Sequence, residues 1–147
     1  MEKVIEIRTI KQVTEVIEIP FKTIRDPQSV VDNIIHLIGD EAREVFLVIC
    51  LSTKNEINAV FKAHIGSLNA SIVDVKTVFQ SALLTNSASI VVSHGHPSND
   101  PYPSREDIEV TNRLVKAGEI MGVQVLDHII IGVNTNNYVS LKEEGHI

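Results

Sequence analysis

The sequence predicts an α/β domain in which helices flank a mixed, mainly antiparallel sheet. Two pairs of apolar runs at hairpin spacing, within residues 44–66 and 123–141, predict antiparallel strands. Segments with helical apolar spacing separate these runs, so helices are expected on both faces of the sheet. With 147 residues, of which 44% are hydrophobic and 22% charged, the chain has the size and composition of one folded domain.

The first 39 residues are predicted to form strands and one helix. Residues 3–19, KVIEIRTIKQVTEVIEI, are rich in Val and Ile that partly alternate, which predicts one or two strands. A proline follows Asp26 and is typical of the first position of a helix, and apolar residues then recur at helical spacing up to Ile38. An N-terminal strand of this kind offers an edge for pairing with another chain.

Residues 40–145 carry the remaining predicted elements and the motifs discussed below. Asp74 is predicted to cap the start of the second helix, and Gly122 the end of the third. Strands are predicted at 44–53, 57–66, 88–92, 123–133 and 137–144, and helices at 74–86 and 104–122. No linker-like segment divides these elements, so residues 1–147 are predicted to form a single domain.

Charge and cysteine content narrow the classes of function. The formal net charge is −6 without a long block of like charge, which disfavours non-specific binding to nucleic acid. The single cysteine, Cys50, lies in the apolar run VFLVICL, where a buried structural role is favoured over a catalytic thiol. No apolar run reaches about 18 residues and the acidic N-terminus is no signal peptide, so a cytoplasmic protein without membrane contact is expected.

The segment SHGHPSNDPYPSRED, residues 93–107, combines two histidines with a carboxylate at the start of the next helix. His94 and His96 are two residues apart, so they project from the same side of a strand end. Ser104 and Asp107 have the spacing of a helix N-cap and its third residue, which by itself predicts a capping box. Two imidazoles and one carboxylate are also the ligand set of a catalytic zinc site with an open fourth position, so His94, His96 and Asp107 are candidate Zn²⁺ ligands.

These residues resemble a known motif. His94-Gly-His96, seven residues, Ser104, two residues and Asp107 resemble the JAMM (MPN) metalloprotease pattern of His-Ser/Thr-His, seven residues, Ser, two residues and Asp. More closely, HGHPSND resembles the HNHPSGD loop that is typical of the RadC family. The resemblance covers roughly residues 40–145 and includes the segments GSLNAS, LDHIIIG and YVSLKEEG.

The resemblance implies a JAMM/MPN, cytidine-deaminase-like sandwich in which the two histidines and the aspartate of the motif bind a zinc ion. It also implies that Ser104 hydrogen-bonds the polarised oxygen of the substrate. The general base of the family is a glutamate near the start of a core strand, and Glu44 in REVFLV is the better match, with Glu41 as the alternative. Without the resemblance, Glu44 is interpreted as a solvated residue before a strand.

Two residues depart from the RadC pattern. Gly95 stands where Asn is usual in RadC proteins, and is expected to remove a side chain near the metal without removing a ligand. Asn99 stands where Gly is usual, and Asn tolerates the left-handed conformation that such a turn needs. The helix-hairpin-helix-like region usual in the family is not found in residues 1–35, which weakens the DNA-repair role that the family label suggests.

Several other polar residues are weaker candidates. Asp127 and His128 in LDHIIIG are candidates for orienting a ligand or the loop, and Asp100 for orienting a histidine through a hydrogen bond. His36 and His64 are interpreted as surface or hydrogen-bonded histidines without a ligand role.

Three functions are compared. The leading hypothesis is a zinc-dependent hydrolase that cleaves amide or isopeptide bonds in a peptide or protein substrate, because JAMM sites are of this kind. The second is a nucleic-acid-associated protein or metal-dependent nuclease, which only the RadC resemblance suggests and which the net charge of −6 disfavours. The third is a catalytically silent interaction module, which the intact His94, His96, Ser104 and Asp107 disfavour.

Overall fold

The structure, a computed structural model, describes residues 1–38, 44–66 and 73–147. These residues form three helices and five strands, each overlapping a segment whose apolar pattern predicts an element of the same type. In chain order the elements are α1 (Pro27–Ile38), β1 (Val45–Leu51), β2 (Ile57–Ile65), α2 (Val75–Leu84), β3 (Ser89–His96), α3 (Arg105–Met121), β4 (Gln124–Gly132) and β5 (Tyr138–Ser140).

The five strands form a sheet in the order β2-β1-β3-β4-β5. β1 pairs antiparallel with both β2 and β3, and β4 pairs antiparallel with β5. β3 and β4 are parallel, and α3 makes the crossover that parallel neighbours require. The predicted mixed, mainly antiparallel sheet is therefore confirmed.

Strand β1 is buried along its whole length because helices cover both faces of the sheet. Leu47 and Ile49 belong to the core that α1 closes, whereas Val48 and Cys50 belong to the core under α2 and α3. Each such aliphatic side chain stabilises the fold by about 1.5–3 kcal/mol. Burial also raises the pKa of the Cys50 thiol, which supports its structural interpretation.

The helices begin and end at the polar residues and glycine that the sequence indicates. The Asp74 carboxylate accepts a hydrogen bond from the backbone N–H of Lys76 at 3.0 Å and begins α2. Ser104 begins α3 through a capping box with Asp107, and Gly122 ends it in the left-handed conformation, with φ of 72°. None of the three helices is both long and apolar enough to cross a membrane.

The predicted N-terminal strands are wrong: residues 1–19 contain no strand, and their Val and Ile side chains are largely exposed. The chain is bound to α1 instead, because the Asn33 side chain accepts from the backbone N–H of Phe21 at 3.0 Å and donates to its C=O at 2.7 Å. The His36 ring, in addition, contacts the carbonyl oxygen of Glu18 at 3.1 Å. A β-branched sequence forms a strand only where a neighbouring strand completes the ladder.

The last predicted strand is shorter than expected, because β5 ends at Ser140 and the chain then turns. The buried carboxylate of Asp127 explains why β5 ends at Ser140. Its Oδ2 accepts from the Ser140 hydroxyl at 2.6 Å, and its Oδ1 accepts from the backbone N–H of Lys142 at 3.1 Å. The Lys142 amide thus bonds a side chain rather than a strand neighbour.

We predict that Asn33→Ala lowers the free energy of unfolding by about 1–3 kcal/mol, because it leaves the N–H and C=O of Phe21 without their partner. Gln28→Ala removes only an exposed contact with Asp32 on the same helix and is the control, with an expected change below about 0.5 kcal/mol. Urea unfolding followed by circular dichroism measures both changes. Equal losses in the two variants would contradict the anchoring role of Asn33.

Candidate metal centre

The C-terminal end of β3 carries His94 and His96 on one face of the sheet, with Gly95 between them on the other. Since β3 lies between β1 and β4, His94 is only 2% exposed, and its ring stacks on that of Phe46 with centroids 6.1 Å apart. His96 is half-buried, where the strand gives way to a turn. A buried imidazole needs hydrogen-bond partners, and neighbouring elements supply them.

The Asp107 carboxylate at the start of α3 lies against both imidazoles. Its Oδ1 is 3.0 Å from His94 Nε2, and its Oδ2 is 3.1 Å from His96 Nε2. The two Nε2 atoms are themselves 3.1 Å apart. The three residues singled out by their spacing are therefore brought together, with one ligand atom from each within 4.8 Å of the others.

Asp107 also helps to begin α3. Its Oδ2 accepts from the Ser104 backbone N–H at 2.7 Å, and its own N–H donates to Ser104 Oγ at 3.1 Å. The capping interpretation and the ligand interpretation of Asp107 are therefore compatible. Burial acts to raise the pKa of the Asp107 carboxyl, but the hydrogen bonds with His94 and His96 outweigh it and hold that pKa well below its usual range.

A backbone oxygen orients His96. The Nδ1 atom of His96 is 2.8 Å from the carbonyl oxygen of Asp100, so Nδ1 carries the hydrogen and Nε2 faces Asp107. The hydrogen bond with Asp107 raises the pKa of His96 against the opposing effect of burial, and the negative charge of Glu44 adds to the rise. Asp100 thus orients His96 as expected, through its main chain, while its carboxylate accepts from the N–H of Tyr102.

A buried polar chain lies behind His94. His94 Nδ1 is 2.8 Å from Nε2 of His128 on β4, and His128 Nδ1 is 2.6 Å from Oγ1 of Thr111 on α3. Burial, together with the charge of His94, holds the pKa of His128 well below its usual value. His128 is a candidate for orienting a ligand from the sequence alone, whereas Thr111 belongs to none of the motifs that the sequence shows. No local pattern signals a contact between residues 17 positions apart.

The turn after His96 depends on Asn99 and on a glycine of β4. Asn99 has φ of 65°, and its N–H donates to the carbonyl oxygen of His96 at 3.0 Å. Asn therefore adopts here the left-handed conformation for which Gly is usual, as the sequence suggests. Gly132 allows the turn to approach β4, because a Cβ at this position would lie 2.3 Å from the Asn99 carbonyl oxygen.

Gly95 faces away from the two histidines, so the expectation that it removes a side chain near the metal is wrong. A Cβ at Gly95 would lie on the opposite side of the sheet, 2.9 Å from Val133 Cγ2 and 3.6 Å from Ile131 Cγ1. Adjacent residues of a strand point to opposite faces, and the two histidines occupy the other face. This departure from the family pattern concerns packing against the end of β4.

Glu44 lies at the edge of the same site, half-buried and directly before β1. The antiparallel register pairs Phe46 with His94, and its extension by two residues sets Glu44 level with His96. The charge of Glu44 contributes to the raised pKa of His96, which agrees with this placement. A residue distant in sequence from the histidine motif therefore borders the candidate centre.

The remaining candidates have different positions. Ser104 is exposed, and because its Oγ accepts from the Asp107 N–H, its hydroxyl hydrogen is available to a ligand. Asp127 supports the end of β5 and accepts from the backbone N–H of His128 at 2.7 Å, and within the described part of the chain its hydrogen bonds go to no imidazole ring. Glu41 and residues 67–71 of the GSLNAS segment lie outside the described residues.

The donor set fits a metal cation. Each imidazole has its Nδ1 engaged in a hydrogen bond, so both Nε2 atoms face the Asp107 carboxylate at 3.0–3.1 Å. Lone pairs this close repel one another unless a proton or a metal ion lies among them. His94, His96 and Asp107 thus form a group of residues that could hold a metal ion.

The mixed sheet is flanked by helices, and a His-x-His pair at the end of one strand faces an aspartate at the start of a helix. This is the arrangement of a JAB-type domain. A family model described as "RadC-like JAB domain" matches residues 24–146. The chain therefore belongs to the RadC family.

The chain is also similar to several curated proteins of the UPF0758 group. It is 47% identical over 131 residues to the UPF0758 protein of Methanosarcina barkeri, an alignment that covers 89% of this chain and 56% of the relative. A relative from Halalkalibacterium halodurans is 47% identical over 124 residues, 84% of this chain and 53% of the relative. One from Caldanaerobacter subterraneus is 49% identical over 119 residues, which cover 78% of this chain and 50% of the relative. The chain spans about half the length of these relatives.

We predict that Gly132→Ala weakens metal binding and lowers the free energy of unfolding by about 1–3 kcal/mol. The added Cβ pushes the turn after His96 away from β4, and this turn carries the Asp100 carbonyl group that orients His96. Gly95→Ala is the matched control, since its Cβ meets a side chain on the opposite face. It is expected to change stability without changing metal affinity. Thermal unfolding and calorimetric titration with Zn²⁺ measure the two effects, and unchanged affinity in Gly132→Ala would refute the role given to the turn.

Proposed function

We propose that this domain is a zinc-dependent hydrolase of the JAMM type that cleaves amide or isopeptide bonds in a peptide or protein substrate. The observation that carries the proposal is the convergence of His94, His96 and Asp107 at 3.0–3.1 Å, with each Nδ1 hydrogen-bonded elsewhere. Membership of a RadC-like JAB family supports it. Two imidazoles and one carboxylate without a thiolate suit zinc and leave a fourth position open.

The chain's own residues have separate proposed tasks around that centre. Zinc in such a site supplies Lewis acidity, which activates water at neutral pH and polarises a carbonyl group. Glu44, level with His96, is the proposed general base and takes up a proton on its carboxylate. Ser104 is proposed to donate its hydroxyl hydrogen to the substrate oxygen, while the Asp107 N–H holds its Oγ in place.

The other two hypotheses have less support. A nuclease needs contacts to phosphates, and the net charge of −6 disfavours them. A silent interaction module has no use for three convergent polar residues, one of which, His94, is buried. The proposed location is the reducing cytoplasm, which suits a single buried cysteine.

We predict that the protein, purified without chelators, contains one zinc ion per chain and that Asp107→Asn lowers zinc affinity by more than about 100-fold, since changes behind a ligand alone cost about 10–100-fold. Asn keeps an oxygen that accepts from the Ser104 N–H, so the helix start is retained. Asp100→Asn is the control, because its carboxylate contacts only the Tyr102 N–H among the described residues. Equal zinc content by mass spectrometry in Asp107→Asn and the control would exclude the ligand assignment.

We predict that Glu44→Gln keeps its zinc but loses about 10²–10⁴-fold in kcat, because a general base contributes a factor of this size. The measurement uses fluorogenic peptide and lysine-isopeptide substrates, with metal content determined on the same samples. Glu106→Gln, an exposed change in the first turn of α3, is the control and is expected to keep full activity. Wild-type turnover in Glu44→Gln would rule out the base role.

A further inference from the structure

Three hydrogen bonds connect His94 to the main chain of Asp107 by a route that avoids the site itself. They run from His94 Nδ1 to His128 Nε2 at 2.8 Å, from His128 Nδ1 to Thr111 Oγ1 at 2.6 Å, and from Thr111 Oγ1 to the Asp107 carbonyl oxygen at 2.7 Å. His128 and Thr111 are fully buried, and His94 is 2% exposed. The chain of bonds therefore links two candidate ligands within the protein interior, away from solvent.

The direction of every hydrogen bond follows from the last acceptor. The carbonyl oxygen of Asp107 only accepts, so the Thr111 hydroxyl donates its hydrogen there. The Thr111 oxygen then accepts from His128, whose ring hydrogen consequently lies on Nδ1. A neutral imidazole has one donor and one acceptor nitrogen, so His128 Nε2 accepts from His94 Nδ1–H. His94 Nε2 is left to face Asp107 and His96 as the atom that binds a cation.

The two histidines are oriented by different means. His96 Nδ1 donates directly to a backbone oxygen, that of Asp100. His94 Nδ1 meets a second imidazole, which accepts or donates according to its own tautomer. Orientation of His94 thus requires a further group that determines the tautomer of His128, and the Thr111 hydroxyl is that group.

We propose that Thr111 and His128 are positioning residues that hold His94 in the Nδ1–H tautomer and thereby keep its Nε2 free to bind the metal ion. The effect on metal affinity rests on the proposed zinc site, whereas the tautomer of His94 does not. Thr111 lies one helical turn after Asp107, and His128 lies beside Val92 on the neighbouring parallel strand. The same bonds therefore set the position of α3 relative to the end of β3 and the middle of β4.

The test compares Thr111→Val, which has nearly the same shape but no hydroxyl, with Thr111→Ser, which restores it. In the metal-free protein at pH 8, long-range ¹H–¹⁵N spectra report which ring nitrogen of His94 and His128 carries the hydrogen. We expect Nδ1–H on both residues in the wild type and in Thr111→Ser. In Thr111→Val we expect the His128 hydrogen to move to Nε2 and that of His94 to move with it.

Zinc titration of the same three proteins is expected to give an affinity about 10–100-fold lower in Thr111→Val and near the wild-type value in Thr111→Ser. His128→Gln, whose amide oxygen can accept from His94 Nδ1–H, is expected to retain more affinity than His128→Leu. An unchanged His94 tautomer in Thr111→Val, or equal losses of affinity in the Val and Ser variants, would overturn the proposal. If the wild type bound no zinc while the tautomers changed as expected, the proposed function would fail and the positioning of His94 would stand.

Discussion

The carboxylate of Asp107 is the group on which the geometry of the candidate centre depends. It accepts the Ser104 N–H that begins α3, and it lies 3.0–3.1 Å from the Nε2 atoms of His94 and His96. Because one side chain serves both the helix start and the site, α3 cannot shift along its axis without separating the ligand atoms. The cap stabilises the helix by about 1 kcal/mol and at the same time orients a charged group. The low pKa of Asp107 keeps that group ionised in the presence of both imidazoles.

The pairing sense of the strands explains why distant parts of the chain meet at this edge. β1 is antiparallel to β3, so its first residues, with Glu44 directly before them, lie beside the end of β3. β4 is parallel to β3, so its last residue, Gly132, also reaches this edge and contacts the turn after His96. α3 then returns from the turn as the crossover helix and delivers Asp107. Both neighbours of β3 thus contribute to one site, β1 with its start and β4 with its end, because they run in opposite directions.

The two departures from the family pattern leave this arrangement intact. Gly95 lies on the face away from the histidines, and Asn99 adopts the left-handed conformation of the glycine it replaces. The chain belongs to the RadC family through residues 24–146, and it spans about half the length of its curated relatives. The activity proposed here therefore concerns the JAB-type domain.

The sequence by itself determined the helices and strands from α1 onward and the three candidate ligands, because both follow from local geometry. The i, i+2 spacing puts His94 and His96 on one side of a strand, and the Ser-x-x-Asp spacing puts Asp107 in the first turn of a helix. Contacts between distant elements were decided only by the tertiary structure. The segment before α1 has no neighbouring strand among the described residues. What a side chain at position 95 would meet depends on the end of β4, and Thr111 meets His128 only because a crossover helix packs on its own sheet. A local pattern records which way a side chain points from its own element, but not what the rest of the chain places in front of it.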